Sequence, residues 1–313
     1  MLRIATPSRL HIALIDLNGA LGRIDGGIGL ALDTPSIIVS AEKADKIIVE
    51  GNSALQERVK KSAEVVARGH GGVHIVIEGD YPSHVGLGSG TQASLAAGMA
   101  VNVLYDLGLS VLDIARIVRR GGTSGIGVAA FEKGGFILDG GHRFDEKGGF
   151  KPSSASRASP PPVLMHRDFP DWDIVLALPA TRGAFSTREV NIFKKECPIP
   201  LEEVQAVSHI ILMELLPALL EEDLETFGSA INRLQGVGFK RREIELQPIA
   251  RTLMDVMLRN GAAGAGMSSF GPLVYGITDS PREVQEAVKE HLGDKDAVIL
   301  SRARNRGAYI QYQ

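Results

Sequence analysis

Pro82-Ser83-His84-Val85-Gly86-Leu87-Gly88-Ser89-Gly90-Thr91-Gln92 decides how this chain reads. Gly86, Gly88 and Gly90 let the backbone bend sharply and bring several N–H groups to bear on one point. Downstream, Ala93, Leu95, Ala96, Ala97, Met99, Ala100, Val103 and Leu104 predict a helix from Gln92 to Leu107 that is apolar on most sides and so buried. Upstream, the β-branched run Val73 to Glu78 predicts a strand entering the turn Gly79-Asp80-Tyr81-Pro82. A glycine loop opening a helix presents unpaired N–H groups and the positive end of the helix dipole, so a phosphate is its natural guest. Ser89 and Thr91 add hydroxyls able to donate to a phosphate oxygen, and Thr91 is the candidate ligand for a magnesium ion. The order of residues is neither the P-loop pattern nor the dinucleotide fingerprint. Close packing of a helix on a strand would call for glycines of the same kind.

Outward from the loop, Leu10 to Leu14, Ile37 to Ala41 and Lys46 to Glu50 read as strands and Asp16 to Gly29 as a glycine-rich loop. Leu55, Val59, Ala63 and Val66 predict a helix within 53–69, and a second helix runs from Val111 to Arg120. A strand at 135–138 precedes a glycine-rich turn. The Ser- and Pro-rich stretch Pro152 to Pro162 disfavours both helix and sheet, which places a domain boundary near residue 160. Beyond it come a strand from Trp172 to Leu178, helices at 201–221, 223–234 and 244–260, a strand from Leu273 to Ile277, a helix from Pro281 to Leu292 and a strand from Ala297 to Arg302. This order predicts an α+β protein with a mixed-sheet N-terminal α/β domain over 1–160 and a C-terminal α+β domain over 161–313. The apolar run 204–220, with Met213 and Leu215-Leu216, reads as core or as a dimer face.

Composition narrows the function. The 313 residues carry a net charge of −3, which offers no general attraction to nucleic acid or anionic lipid. Local basic sites must therefore do any anion binding. Cys197 is the single cysteine and no Cys/His cluster occurs, so neither a disulfide framework nor a structural zinc is expected. The N-terminus lacks the pattern of a signal peptide and no uninterrupted apolar stretch approaches a membrane span, so a soluble, cytoplasmic protein is expected. The 36 glycines fall in bursts, as ligand-facing loops do, and not at a fixed period.

The loop resembles the second motif of the GHMP kinases, Pro-x-x-x-Gly-Leu-Gly-Ser-Ser-Ala, with Gly90 and Thr91 standing where Ser and Ala are usual. Ala5-Thr6-Pro7-Ser8-Arg9-Leu10-His11 resembles that family's N-terminal motif, and Gly261-Ala-Ala-Gly264-Ala-Gly266-Met267-Ser268-Ser269 its C-terminal glycine loop. The resemblance implies a GHMP-kinase-like two-domain fold whose second half is a ferredoxin-like α/β sandwich. Many of these kinases carry Gly-x-x-Ser-Gly-x-Asp, whose Asp orients or deprotonates the acceptor hydroxyl. In Gly122-Thr123-Ser124-Gly125-Ile126-Gly127 a glycine holds that place. Losing a general base commonly costs about a hundredfold or more in rate. An ATP-dependent small-molecule kinase is thus the alternative reading, and a non-catalytic ligand sensor the third.

Ser8-Arg9-Leu10-His11, Asp16-Leu17-Asn18-Gly19, Gly22-Arg23-Ile24-Asp25-Gly26-Gly27, the string from His84 to Gln92 and Phe136-Ile-Leu-Asp139-Gly140-Gly141-His142 are together similar to one branch of the superfamily. That branch is the β-ribofuranosylaminobenzene 5′-phosphate synthase family of archaeal methanopterin biosynthesis. The resemblance implies transfer of ribose 5-phosphate from phosphoribosyl diphosphate to 4-aminobenzoate or 4-hydroxybenzoate, with loss of carbon dioxide and diphosphate and with magnesium as cofactor. Such a reaction needs an anion cradle, here Gly86 to Gln92 with Ser124 and Gly125, and an ionised carboxylate to face the anomeric cation. Asp16 is the favoured carboxylate, ahead of Asp25 and Asp139. Arg9, Arg23 and Arg182 are candidates to hold the 5-phosphate or the benzoate carboxylate, since guanidinium forks match both. His11 and Asn18 join the catalytic candidates, although turn chemistry alone would also explain Asp16 and Asn18. Asp139 and His142 are singled out by the resemblance alone. The ring is its own electron sink, so no organic cofactor is implied. Lys240-Arg241-Arg242 and Arg302-Ala-Arg304-Asn-Arg306 read as solvated charge.

Overall fold

Alternation in Leu2–Ala5 turns Leu2 and Ile4 into the core and leaves Arg3 half-buried, and this short strand organises the first layer of the molecule. The computed structural model describes residues 1–153, 155–180 and 187–312. The first sheet runs Tyr309–Tyr312, Leu2–Ala5, Ile38–Ala44, Gly72–Gly79, Ile48–Glu50, antiparallel except for the last pair. Helices Gln56–Val66 and Ser89–Tyr105 pack together, and Ser89–Tyr105 rests on Leu2–Ala5 and Ile38–Ala44. Burial of Gln92 through Asn102 without a break follows from the small residues read in the sequence. At Gly98 a Cβ would stand 2.5 Å from Ile114 of the next helix, Val111–Ile117.

The second sheet runs Ser8–Asp16, Arg23–Leu32, Phe136–Asp139, Val163–Arg167, with His142–Arg143 paired to the start of Arg23–Leu32. The expected loop from Asp16 to Gly29 is therefore mostly strand, and only Leu17 to Gly22 turn. Its glycines serve close packing: a Cβ on Gly29 would collide with Ile126 of the helix Ile126–Glu132, which lies on this sheet. That helix, like Thr187–Glu196, was not legible in the sequence. Val163–Arg167, beyond the Pro-rich stretch, joins the sheet of the preceding residues, and the final strand returns to pair with Leu2–Ala5.

The third sheet is antiparallel in the order Ala262–Met267, Val274–Thr278, Asp173–Leu178, Ala297–Arg302, with Pro248–Arg259 and Pro281–Glu290 packed against it. This is the ferredoxin-like order expected. Gly261 to Ser269 is a correction, because Ala262–Met267 is a strand and only the residues from Ser268 onward turn. Small residues there admit the helix Leu224–Gln235: a Cβ on Gly264 would stand 2.6 Å from the Gly228 Cα. The helix expected at 244–260 is two, Gly238–Glu245 and Pro248–Arg259, since Pro248 begins a helix but cannot continue one. The helical run Leu201–Glu221 is long and apolar enough to cross a membrane by length and composition, although Glu202, Glu203, His209 and Glu214 interrupt its apolar residues. Here Val204, Val207, Ile211, Leu215, Ala218 and Leu219 turn into the protein. A π-helical turn at Ile211–Leu215 interrupts it.

The Gly228–Gly264 contact generates a test. Gly264→Ala forces the helix off the strand, and about 1–3 kcal/mol of stability is lost. Urea unfolding should show a lower midpoint at unchanged slope, and an unaltered midpoint would mean that the helix has room to withdraw.

Candidate functional site

Helix Ser89–Tyr105 starts after Gly88, whose φ is 78°, and no side chain caps it. Its first amide hydrogens are left for a ligand at the positive end of a 17-residue helix. Glycine is required at both bends of the loop. A Cβ on Gly88 would stand 3.0 Å from Arg9 Cγ and Nε, and one on Gly86, at φ 101°, 2.5 Å from the Ser268 carbonyl oxygen.

A cavity of about 200 Å³ opens at this helix mouth, lined by Gly86, Gly88, Ser89, Gly90 and Thr91 and by Arg9, Arg58 and Arg120. Arg9 comes from Ser8–Asp16, Arg58 from Gln56–Val66, and Arg120 from the turn after Val111–Ile117. No carboxylate lines the cavity among the described residues. Partial burial lowers the basicity of Arg58, yet a guanidinium keeps its charge at any ordinary pH. Three guanidinium groups, hydroxyls from Ser83, Ser89 and Thr91, and free helix amides complement a phosphate-bearing ligand. His84 lies at the rim, and partial burial with the Arg58 charge keeps its pKa below 6.5, so it adds no charge at pH 7.

The loop is held from beneath. Arg9 Nη1 donates to the Gly86 carbonyl at 2.7 Å, and Ser268 Oγ donates to the same oxygen at 2.6 Å. Ser268 Oγ also accepts from the His11 amide at 3.0 Å, and the Ser269 amide donates to the His11 carbonyl at 2.9 Å. The buried His11 ring is kept neutral at pH 7 by desolvation first and then by the charges of Arg9 and Lys240. Its Nδ1 has no hydrogen-bond partner among the described residues. Lys240 corrects a sequence reading: it is not solvated but buried, 2.5 Å from Glu243 Oε2 and donating to the carbonyls of Met267 and Ser269 at 3.1 and 3.2 Å. Glu243 sits one turn further along the same helix, which makes burial of the charge tolerable. Arg304 is likewise buried, donating to the Gly307 and Ala5 carbonyls.

A second polar cluster occupies the other end of the Ser8–Leu32 hairpin. Lys147 Nζ donates to both Asp25 oxygens at 2.8 and 2.7 Å and to Thr123 Oγ1 at 3.1 Å. His142 Nδ1 lies 2.6 Å from Asp25 Oδ2, and its Nε2 faces the carbonyls of Ser159 and Gly121 at 3.0 and 3.2 Å. Asp139 accepts from the amides of Gly125 at 2.9 Å and Gly141 at 3.0 Å and from Ser124 Oγ at 3.3 Å. Burial outweighs these bonds and pushes its carboxyl up to about 6. Gly27 stands between the clusters, where a Cβ would meet His11 Nε2 at 3.2 Å and Asp139 Oδ2 at 3.5 Å.

The structure thus gathers Arg9, Gly86, Gly88, Ser89, Gly90 and Thr91 around one cavity and sends other candidates elsewhere. Leu87 is core, and the buried Gln92 donates to the Gly127 carbonyl at 2.8 Å, so neither faces the ligand. Ser124 and Gly125 hold Asp139 instead of a phosphate. Asp16 caps a turn, accepting from the amides of Asn18 at 2.7 Å and Gly19 at 2.9 Å, and Asn18 Nδ2 donates to the Ile199 carbonyl at 2.7 Å. Seven residues of strand separate Asp16 from Arg9, roughly 20 Å, so Asp16 does not face the loop. Asp25 is spent on Lys147 and His142. Arg23 donates to the carbonyls of Gly140 at 2.9 Å and Gly141 at 2.7 Å, which ties it to the second cluster. Arg182 lies outside the described residues. Arg58, Arg120, Lys147 and Lys240 were missed, because nothing local distinguishes them from surface charge. Among the described residues no group of three or more His, Cys, Asp or Glu could hold a metal.

Comparison with known proteins agrees with the fold. The GHMP kinases N terminal domain matches residues 57–135 and the GHMP kinases C terminal domain residues 215–294. Beta-ribofuranosylphenol 5′-phosphate synthase of Archaeoglobus fulgidus is 48% identical over 99% of this chain and 100% of its own. Its namesake from Methanothermobacter thermautotrophicus is 49% identical over 98% of both chains. The crystal structure of Methanococcus jannaschii mevalonate kinase superposes with a TM-score of 0.69 at 15% identity, covering 97% of this chain and 98% of that one, a likeness of fold alone.

Two outcomes are expected from this geometry. Ser268→Ala leaves the buried His11 amide without its acceptor and the Gly86 carbonyl without one donor, which costs about 1–3 kcal/mol. Denaturant unfolding should register the loss and titration with inorganic phosphate a weaker site, whereas wild-type values for both would detach Ser268 from the loop. For Asp139, a native pKa near 6 against the ordinary 3.8 means that the folded protein holds the proton more tightly, so stability falls as pH rises between those values and is level above them. The free-energy difference between wild type and Asp139→Asn should therefore change by up to roughly 3 kcal/mol across that window. A pH-independent difference would show the carboxylate ionised throughout.

Proposed function

We propose that this chain, which belongs to the beta-ribofuranosylphenol 5′-phosphate synthase family, transfers ribose 5-phosphate from phosphoribosyl diphosphate to 4-hydroxybenzoate with release of carbon dioxide and diphosphate. One observation carries the reading: a helix mouth ringed by arginines and, among the described residues, lined by no carboxylate, beside a glycine where the kinases of the superfamily carry their acid. The phenol in the names of the relatives favours the hydroxyl over the amino acceptor.

The chemistry suits such a site. The bond from the anomeric carbon to oxygen breaks, and its electron pair leaves on diphosphate, where the Ser89 and Gly90 amides and Arg9, Arg58 and Arg120 take up the charge. The ring carbon bearing the carboxylate supplies the pair for the new carbon–carbon bond, and the para oxygen stabilises the ring cation. The bond to the carboxylate then breaks, returns its pair to the ring and frees carbon dioxide. No proton leaves a ring carbon, so the step does not require a base at position 127. At Gly127 a Cβ would stand 3.2 Å from Thr91 Cγ2, a tight fit that a side chain there could gain only if Thr91 shifted. Arg58 and Arg120 join Arg9 as the anion-binding arginines of this reading.

Magnesium fits the cavity only as an ion carried on the donor. The Ser89 and Thr91 hydroxyls would contribute to its oxygen shell, since no described carboxylate lines the cavity, and it would supply further neutralisation of the diphosphate.

Incubation of the protein with magnesium, phosphoribosyl diphosphate and carboxyl-labelled 4-hydroxybenzoate should release labelled carbon dioxide and diphosphate in equal amounts. Arg9→Lys and Arg58→Gln should each lower kcat/KM about tenfold or more, as loss of a charged contact does. Formation of ADP from ATP without release of label would instead establish a kinase, and ligand binding without turnover a sensor.

A further inference from the structure

We propose a second anion site in the groove between helices Gln56–Val66 and Val111–Ile117, one that takes a condensed inorganic phosphate of diphosphate size or longer. The groove encloses about 990 Å³ and is lined by Arg58, Lys61, Arg68, Arg116, Arg119 and Arg120. Two of these charges are answered nearby: Lys61 pairs with Glu57 at 3.2 Å and Arg116 with Asp113 at 3.2 Å. Arg58, Arg68, Arg119 and Arg120 have no carboxylate within 4.0 Å among the described residues. Among the described residues Glu57 is the single acid in the lining. Four guanidinium groups without a carboxylate partner, facing one groove of a chain with net charge −3, repel each other, and a bound polyanion relieves that repulsion.

The position of the groove gives the charges a purpose. Arg58 and Arg120 line both this groove and the loop cavity, so the two spaces share a wall made of arginine. An anion released from the helix mouth can pass into the groove while still held by these two side chains. The rest of the described lining is aliphatic or small, including Ala54, Ser62, Val65, Ile117 and Val118, with no aromatic ring among these residues on which a base could stack. That composition favours an inorganic polyanion over a nucleotide. The inference concerns the anion alone and holds whatever reaction the loop cavity performs.

Calorimetric titration of the whole protein with inorganic diphosphate tests it without turnover. The wild type should bind two equivalents, the weaker one weakening further as salt is added. Arg68 and Arg119 are exposed and line the groove but not the loop cavity, so the double variant Arg68→Gln/Arg119→Gln should lose the weaker equivalent and keep the tighter one. The charge-preserving Arg68→Lys/Arg119→Lys should bind both. One equivalent in the wild type, or two in the Gln variant with unaltered affinities, would overturn the proposal. So would loss of both equivalents in the Gln variant, since the two spaces would then be one site.

Discussion

The carbonyl oxygen of Gly86 accepts from Arg9 Nη1 and from Ser268 Oγ, and on that pair of bonds the rest of the site depends. Three stretches far apart in the chain meet there: the first long strand, the glycine loop and the turn after Ala262–Met267. The bond from a charged guanidinium is the stronger of the two, worth about 1.5–3 kcal/mol where a neutral one contributes about half as much. By engaging the carbonyl, the two donors fix the peptide that joins Gly86 to Leu87. The same contact fixes Arg9 within reach of His11, Tyr81, Lys240 and Glu243, whose ionisation its charge influences.

Charge is sorted along the hairpin that follows. Around the helix mouth stand arginines and hydroxyls, while Asp25 and Asp139 are withdrawn to the far cluster, each with its oxygens occupied by internal donors. A carboxylate among the arginines would compete with a phosphate for the same donors and repel it. The superfamily fold is retained, yet the position that gives its kinases an acid holds a glycine, with the Thr91 side chain packed close on it. One scaffold thus binds phosphate in the same place while the chemistry beside it differs.

The reading of particular residues shows where local pattern suffices. Gly86 to Thr91 were legible because a loop opening a helix is built from contiguous chain, and its backbone geometry makes the anion site whatever surrounds it. The buried helix Ser89–Tyr105 was legible for the same reason. The stretch from Arg23 to Gly29 was misread, since glycine looks alike whether it frees a loop or admits a helix such as Ile126–Glu132 onto a strand. Asp16 and Asn18 carried a functional expectation that the Asx turn absorbed.

What the sequence by itself determined is the α+β character, the phosphate loop and the absence of a kinase acid at position 127, all written in residues that are neighbours in the chain. Which charges serve the loop was settled only by the tertiary structure. Arg58, Arg120 and Lys240 sit in segments that read as ordinary solvated helix surface, and nothing within a few residues of them differs from many other charged positions. The physical reason lies in desolvation: the cost and the use of a charge are set by the atoms that surround it in space, and for these side chains those atoms come from distant parts of the chain.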